Sequence, residues 1–238
     1  MNSIEIMKNG GNELNIDLSA EQIAQFMKYK DLLLSWNEKI NLTAITEEKE
    51  ICIKHFLDSL SCVSTPYIKD QMKIIDVGTG AGFPGIPIKI YYENVEMTLL
   101  DSLNKRITYL KEVCHSLDLK NVEFCHGRAE DYGLDKKYRE QYDIAVARAV
   151  AELNILCEYC LPFVKVDGYF VCQKGPGVTE EIQRAKKAIE VLGGELVEKI
   201  DIKLPFSELN HNIIVIKKVK QTPTKYPRKA GTPTKKPL

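Results

Sequence analysis

The fold is decided by residues 73–87, with the sequence KIIDVGTGAGFPGIP. The apolar, β-branched residues at its start are typical of a buried strand. The glycines that follow would allow a tight turn and the close approach of a ligand to the backbone. The apolar run 86–92 predicts a helix, and Pro87 suits its first turn, where a missing N–H costs nothing. Together these elements would direct free backbone N–H groups towards a bound molecule.

The spacing of the glycines leaves two classes of nucleotide cofactor open. Gly80, Gly82 and Gly85 satisfy the dinucleotide fingerprint, and Asp101 lies about where its ribose-binding acid is expected. Asp76 argues against a dinucleotide, because a carboxylate at the mouth of a phosphate cradle would repel a pyrophosphate. A ligand with an ammonium group, a sulfonium and no phosphate would tolerate it. We therefore predict S-adenosyl-L-methionine as the cofactor, with a nicotinamide dinucleotide as the alternative.

Length, hydrophobicity and cysteine content restrict the class of protein. The chain has 238 residues, 44% of them hydrophobic, which fits one α/β domain with a small appendage. No apolar run approaches the ~20 residues of a membrane span, so we expect no membrane partner. The seven cysteines lie mostly in apolar segments, which predicts buried thiols in a cytoplasmic protein. Cys157 and Cys160 have no second pair at zinc spacing, so we expect no metal.

The order of strand and helix patterns predicts the domain organisation. Residues 1–70 contain no strand pattern and predict an N-terminal helical lobe. Over residues 71–219 the two patterns alternate, which predicts an α/β domain with a mostly parallel sheet wrapped by helices. Its last two strands follow one another without a helix, as an antiparallel pair at the sheet edge would. No surplus apolar stripe is evident, which favours a monomer.

Two helices are expected in the N-terminal lobe. Ser19 and Gln22 form a capping box for a long first helix. Thr46 would cap a second helix, which Pro66 would end. The prediction for this lobe therefore consists of two capped helices before the first strand.

One face of the second helix carries polar side chains. His55, Asp58 and Ser59 stand at i, i+3 and i+4, so a regular helix places them side by side. One interpretation is a hydrogen-bonded helix surface. The other is that this face covers the glycine loop and touches the substrate.

The charge of the chain is concentrated at its C-terminus. Net charge is zero overall, but residues 220–238 carry six basic residues and no acid, so residues 1–219 carry −6. The tail contains four prolines and predicts an extended conformation. A basic tail on an acidic body favours binding to a polyanion, and a solvated disordered tail is the alternative.

Polar residues also gather where the predicted strands end, which is where ligands bind in such sheets. Asp101 would accept both ribose hydroxyls of the cofactor, unless it only caps the next helix. Ala129 and Glu130 follow the third strand, where a small residue and an acid can recognise the exocyclic amine of an adenine. A solvated loop is the alternative there. A nicotinamide enzyme has no particular need for this acid, so it favours S-adenosylmethionine.

Arg148 and the residues after it, at the end of the fourth strand, help to predict which kind of substrate atom is methylated. Methyltransferases of amide or exocyclic amine nitrogens usually carry Asn/Asp-Pro-Pro-aromatic there, whereas residues 148–152 are RAVAE. A Pro-Cys pair, which carbon methylation through a cysteine would use, is absent from the sequence. A nucleophilic ring nitrogen such as guanine N7 remains, and it needs alignment in a water-poor site but no base. Arg148 would contact the cofactor carboxylate or a substrate phosphate, with a structural ion pair as the alternative.

Five segments together resemble one known family, and the likeness runs from about residue 15 to the end. They have the sequences DVGTGAGFPGIP at 76–87, WNEKINLTAI at 36–45 with HFLDS at 55–59, LDSLNKR at 100–106, and YPRKAGTP at 226–233 followed by KKPL at 235–238. They resemble the glucose-inhibited division protein B family, the bacterial small-subunit rRNA guanine-N7 methyltransferases also called RsmG. The long glycine-proline motif and the tail are more specific than the short fingerprint.

The resemblance implies a class I methyltransferase fold and methylation of N7 of the guanine at nucleotide 527 of 16S rRNA. The partner would be that RNA or the small ribosomal subunit, and no individual catalytic residue is assigned. A non-catalytic RNA-binding module would explain the tail but not the glycine loop. The predicted cofactor residues are Asp76, Gly78, Gly80, Gly82, Phe83, Asp101, Ser102, Leu103, Ala129, Glu130 and Arg148. The predicted substrate residues are His55, Asp58, Lys174, Arg228, Lys229, Lys235 and Lys236.

Overall fold

The computed structural model describes residues 1–148 and 150–238, and a seven-stranded sheet lies at its centre. The strands are β1 (Lys73–Val77), β2 (Glu96–Asp101), β3 (Val122–His126), β4 (Tyr142–Arg148), β5 (Val164–Lys174), β6 (Gly194–Lys203) and β7 (Asn210–Lys218). Their order across the sheet is β3-β2-β1-β4-β5-β7-β6. The pairings among β1 to β5 are parallel, and β7 is antiparallel to both β5 and β6. The predicted α/β fold is confirmed, and its antiparallel strand is next to the edge.

Helices connect these strands and form the lobe that precedes them. A π-helical segment (Cys52–Leu57) joins the third helix to the fourth, so that the chain from 48 to 60 is one continuous helix. None of the described helices is long and apolar enough to cross a membrane. The helices are α1 (Ser3–Glu13), α2 (Ala20–Ile40), α3 (Glu48–Ile51), α4 (Asp58–Leu60), α5 (Gly85–Tyr91), α6 (Asn104–Ser116), α7 (Ala129–Tyr132), α8 (Leu153–Cys160), α9 (Val178–Val191) and α10 (Thr232–Lys235).

Both faces of the sheet are covered, because its central strands are apolar on both sides. In β1, Ile74 packs with the helical lobe, α5 and α6, whereas Ile75 and Val77 pack on the opposite side with α8 and α9. Successive side chains of a strand point to opposite faces, so a continuous apolar run supplies both cores. The ends of the strands therefore stay available for a site, and the polar residues of this chain gather there.

The lobe confirms one capping prediction and corrects another. Ser19 caps α2 as expected: its hydroxyl accepts the N–H of Gln22 at 3.1 Å, and the Gln22 side chain accepts the N–H of Ser19 at 3.0 Å. The prediction that Thr46 caps the second helix is wrong. Glu47 is the cap, and its carboxylate accepts the N–H of Glu50 at 2.8 Å. The Glu47 side chain is longer than that of threonine, but it carries a full negative charge, which the helix N-terminus favours.

The C-terminal residues 220–238 fold against the body, so the expectation of an extended tail is wrong. Thr222 and Tyr226 are buried. The Arg139 guanidinium donates to the carbonyl oxygens of both, at 2.6 Å and 2.8 Å. The segment contains no long helix, which agrees with its prolines. Hydrogen bonds to a residue distant in sequence hold the turns that form instead.

Candidate cofactor and substrate site

Asp76 lies beneath the glycine loop and organises it. Its Oδ2 accepts the Thr79 hydroxyl at 2.7 Å and the N–H of Gly85 at 2.8 Å, which ties the two ends of the loop to one carboxylate. A Cβ at Gly85 would lie 2.7 Å from that same oxygen, so glycine is required there. Burial raises the pKa of Asp76 to about 6, partly offset by these two hydrogen bonds. Its Oδ1 has no hydrogen-bond partner among the described residues.

Asp101 joins the end of β2 to the same loop. Its Oδ2 accepts the N–H of Gly80 at 2.9 Å, and its Oδ1 accepts the N–H of Leu103 at 2.9 Å. The guanidinium of Arg106 lies 3.3 Å from Oδ2. Each carboxylate oxygen has two lone-pair directions, so Oδ2 is fully used by Gly80 and Arg106, whereas Oδ1 keeps one for a hydroxyl. The carboxylate is thus fixed in position while it keeps capacity to bind a hydroxyl.

A cleft of about 90 Å³ opens at the carboxyl ends of β1, β2 and β3. It brings together five of the predicted cofactor residues, namely Gly78, Asp101, Ser102, Ala129 and Glu130. Glu130 is only 4% exposed, although it carries a carboxylate. Arg128, Val150 and Tyr159 also line the cleft, and the sequence analysis assigned none of them. The other predicted cofactor residues lie outside this lining, namely Asp76, Gly80, Gly82, Phe83, Leu103 and Arg148.

Phe83 and Arg148 belong to a second cluster, next to the helix that runs from 48 to 60. The Arg148 guanidinium carbon lies 4.8 Å from the centre of the Phe83 ring, and the His55 ring stacks on that ring at 4.7 Å. A cation over an aromatic face is attracted by its quadrupole. Phe83 therefore links the glycine loop to the predicted substrate residues.

Arg148 and His55 line a cavity of about 430 Å³, which also has a buried carboxylate in its wall. Asp58 is 2% exposed. One of its oxygens lies 2.5 Å from the Arg148 guanidinium and the other lies 2.6 Å from Nδ1 of His211. Burial would raise the pKa of Asp58, but the His211 hydrogen bond and the Arg148 charge outweigh it and lower the pKa. Asp58 therefore holds a negative charge between the Arg148 guanidinium and the His211 imidazole.

The histidines on either side of this carboxylate differ in charge state. Burial first, and then the Arg148 charge, lowers the pKa of His55 to about 4, so this ring is neutral at pH 7. The Asp58 hydrogen bond raises the pKa of His211 above its ordinary value. The second cavity therefore holds a neutral, stacked imidazole and a separate imidazole that favours its protonated form.

Gln173, Glu181 and His211 line this cavity, and the sequence analysis missed all three. Lys174, which was predicted, lies among them: its ammonium contacts Glu181 at 2.6 Å and the Ala151 carbonyl at 2.8 Å. Gln173 and Lys174 end β5, so the strand-end rule could have found Gln173. His211 was hidden because β7 runs antiparallel, so that its start, not its end, lies at this edge.

The predicted substrate residues of the C-terminal segment divide into two groups. Lys229, Lys235 and Lys236 are exposed. Arg228 instead pairs with Glu158, with its Nη2 at 2.6 Å from Oε2 and its Nε at 2.9 Å from Oε1. Its guanidinium is thus held against the body, whereas the three lysines remain available to phosphates. Among the described residues, no group of three or more His, Cys, Asp or Glu side chains could hold a metal.

Comparison with known proteins identifies the family. A family model described as GidB, rRNA small subunit methyltransferase G, matches residues 22–206. The chain belongs to this family. The Ribosomal RNA small subunit methyltransferase G of Alkaliphilus oremlandii (strain OhILAs) is 63% identical over 234 residues, which cover 98% of each chain. The protein of the same name from Alkaliphilus metalliredigens (strain QYMF) is 61% identical over 238 residues, which cover 100% of each.

Membership of the GidB family confirms the resemblance seen in the sequence, and with it a small-subunit rRNA methyltransferase. Solved structures agree on the fold. That of M. jannaschii TYW2 in complex with AdoMet aligns with a TM-score of 0.51 at 17% identity, over 64% of this chain and 72% of that one. P. horikoshii TYW2 in complex with MeSAdo gives 0.54 at 13% identity, over 68% and 61%. The predicted class I methyltransferase fold of this GidB-family chain is therefore confirmed.

The His211 contact gives this family member a testable pH dependence of stability. Since the folded pKa of His211 is raised above 6.5, its contribution is fully present below that pH and is lost as pH rises through the folded value. We expect His211→Asn to reduce the free energy of unfolding more at about pH 5 than at about pH 9. Urea denaturation at both pH values measures this, with the exposed His115→Asn as the matched control. Equal pH slopes for the two variants would contradict the assigned contact.

Proposed function

We propose that this chain transfers the methyl group of S-adenosyl-L-methionine to N7 of the guanine at nucleotide 527 of 16S rRNA. The observation that carries the proposal is the pair of cavities at the carboxyl edge of the sheet. One is lined by Gly78, Asp101 and Glu130, and the other by Arg148, His55 and further charged groups. A cofactor and a nucleotide could meet at that edge.

The residues of the first cleft fit S-adenosylmethionine. Its sulfonium supplies an activated methyl group, which leaves with the carbon–sulfur bond electrons staying on sulfur. Asp101 is fixed to accept a ribose hydroxyl through Oδ1, and one Glu130 oxygen would accept the adenine amine. Asp76 is fully buried beneath the glycine loop, so it would hold the loop in shape without contacting the cofactor. AdoMet bound to M. jannaschii TYW2, which shares this fold, supports the assignment.

The chemistry of the second cavity supports a ring nitrogen as the target. Guanine N7 carries a free lone pair, so no general base is needed and no proton moves. The neutral His55 offers an uncharged ring at the wall of this cavity, next to which a purine could lie. The product ring gains one positive charge as the sulfonium loses its own.

The RNA strand would enter over the cations around this cavity. Lys54, Lys174 and Arg148 line it, and the exposed Lys229, Lys235 and Lys236 lie on the C-terminal segment. Lysines that contact phosphates release counterions, so RNA affinity should fall with salt. Proteins read bases most readily in single-stranded loops, which fits a splayed guanine in the second cavity.

The test is methyl transfer to a mapped base. Protein is incubated with methyl-labelled S-adenosylmethionine and either free 16S rRNA or small subunits from a strain lacking this gene. We expect label in the RNA and strand cleavage at nucleotide 527 after borohydride and aniline treatment, which breaks the chain at 7-methylguanosine. Comparing the two substrates also tells which of them the protein accepts.

The outcomes separate the competing functions. Label at another nucleotide or another atom would overturn the N7 assignment while retaining a methyltransferase. Binding of RNA without any label would instead favour an RNA-binding module. Stabilisation of the folded chain by NAD(H), but not by S-adenosylmethionine, would favour an oxidoreductase site.

A further inference from the structure

The C-terminal segment touches the cofactor cleft from outside. The backbone N–H of Gly231 donates to Oε1 of Glu130 at 2.9 Å. The hydroxyls of Thr234 and Tyr159 lie 2.9 Å apart. Both Glu130 and Tyr159 line the cleft in which the cofactor is proposed to bind. We call residues 226–236 the strap, because they bind side chains that form the cleft wall without lining it themselves.

An ion pair fastens the strap to α8. Glu158, next to Tyr159 in sequence, is 1% exposed. Its carboxylate accepts the Arg228 backbone N–H at 2.8 Å as well as Nε at 2.9 Å and Nη2 at 2.6 Å. Planar two-point pairing of guanidinium with carboxylate is directional as well as strong. The Arg228 charge is therefore committed to the protein, and it fixes where the rest of the strap lies.

We propose that the strap is a part of the cofactor site and that Arg228 is a positioning residue for it. This proposal rests on the proposed function. A carboxylate has two oxygens, and the Gly231 N–H occupies one oxygen of Glu130. That bond fixes the carboxylate plane and leaves Oε2 for an N–H donor such as the adenine amine. A strap that detaches would free both Glu130 and Tyr159 to rotate, so the cofactor would have to order them on binding.

Two basic residues of the strap therefore have different roles, which the composition of the tail alone does not distinguish. Arg228 serves the cofactor through Glu158, and the exposed Lys229 serves the RNA. Substitution of Arg228 should then weaken cofactor binding, whereas substitution of its neighbour Lys229 should weaken RNA binding. This contrast distinguishes positioning from a general effect of positive charge.

The experiment is calorimetric titration of S-adenosylmethionine into the full chain without RNA. Loss of a charge-assisted pair predicts that Arg228→Ala raises the cofactor Kd about 10-fold. Arg228→Lys should fall between it and wild type, because an ammonium cannot reproduce the two-point contact. The control Lys229→Ala should leave the cofactor Kd unchanged while it weakens RNA binding. In turnover assays, Arg228→Ala should raise KM for the cofactor and keep kcat near wild type at saturation.

Each outcome decides the proposal. Equal cofactor Kd in Arg228→Ala and wild type overturns it, as does an equal loss in Lys229→Ala. Should Arg228→Ala fail to fold by thermal melting, Glu158→Gln decides, because it keeps the shape of the side chain. We expect that variant to raise the cofactor Kd about 3-fold, and an unchanged Kd overturns the proposal. Failure of the wild type to bind S-adenosylmethionine overturns the proposed function instead.

Discussion

Gly78→Val is expected to abolish cofactor binding, with Kd for S-adenosylmethionine raised by about 100-fold or more. Gly78 has φ of +72°, in the left-handed region that a β-branched residue adopts only under strain. A Cβ there would lie 2.9 Å from Cγ2 and 3.2 Å from Cγ1 of Val150, across the cleft. The two valine methyl groups would extend further into the same space. The substitution therefore acts through both backbone strain and lost volume.

A matched glycine makes this experiment specific. Gly175 follows β5, where an added Cβ would have no heavy atom within 4 Å. Gly175→Val should therefore leave the cofactor Kd near wild type. Calorimetric titration measures both variants, and circular dichroism shows whether each is folded. Wild-type affinity in a folded Gly78→Val would show that the cofactor does not approach this glycine.

The glycine loop is the part of the site that the sequence could predict. Its strand, turn and helix are consecutive, and glycine spacing reports a backbone geometry directly. The strand-end rule likewise located Asp101 and Glu130, because parallel strands bring their carboxyl ends to one edge. These inferences need only local patterns and one rule of topology. For that reason five residues of the first cleft could be predicted, whereas Arg128, Val150 and Tyr159 could not.

The second cavity was less accessible to sequence reasoning, because its contacts join distant segments. Asp58 and Arg148 are separated by 90 positions, and Asp58 and His211 by 153. Residue type predicted that each could carry charge, but not which partner would neutralise it. Arg228 shows the same limit: a basic, proline-rich tail favours RNA contact by composition, whereas its guanidinium meets Glu158, 70 positions away. Which charged residues form ion pairs depends on the fold, and composition does not predict it.

Element boundaries show where local preference is insufficient. The Ser19 capping box is complete within four residues, and the structure confirms it. Whether Thr46 or Glu47 caps the helix depends on the conformation of the preceding loop, which no short sequence pattern predicts. The position of β7 inside the sheet depends on β5 accepting an antiparallel neighbour, and an edge pair looks the same in sequence whichever member is outermost.

Arg148→Ala should be the most destabilising change at the second cavity and should also reduce methyl transfer by about 100-fold or more. The partners are 13% and 3% exposed in their side chains, so removing the guanidinium leaves Asp58 buried with only His211 to balance it. Breaking such a pair costs about 3 kcal/mol of unfolding free energy. The same change removes the cation over Phe83 and a charged group from the wall of the second cavity.

The stability effect should depend on pH in a defined direction. Because the folded pKa of Asp58 is lowered from 3.8, its paired charge stabilises the fold above that pH, and the contribution is lost as pH falls through the folded value. The difference between wild type and Arg148→Ala should therefore shrink in acid. Arg184→Ala is the matched control, since Arg184 forms exposed ion pairs with Glu152 and Glu180 that are worth at most about 1 kcal/mol. Equal losses of stability in the two variants would show that the buried pair stabilises the fold no more than exposed ion pairs do.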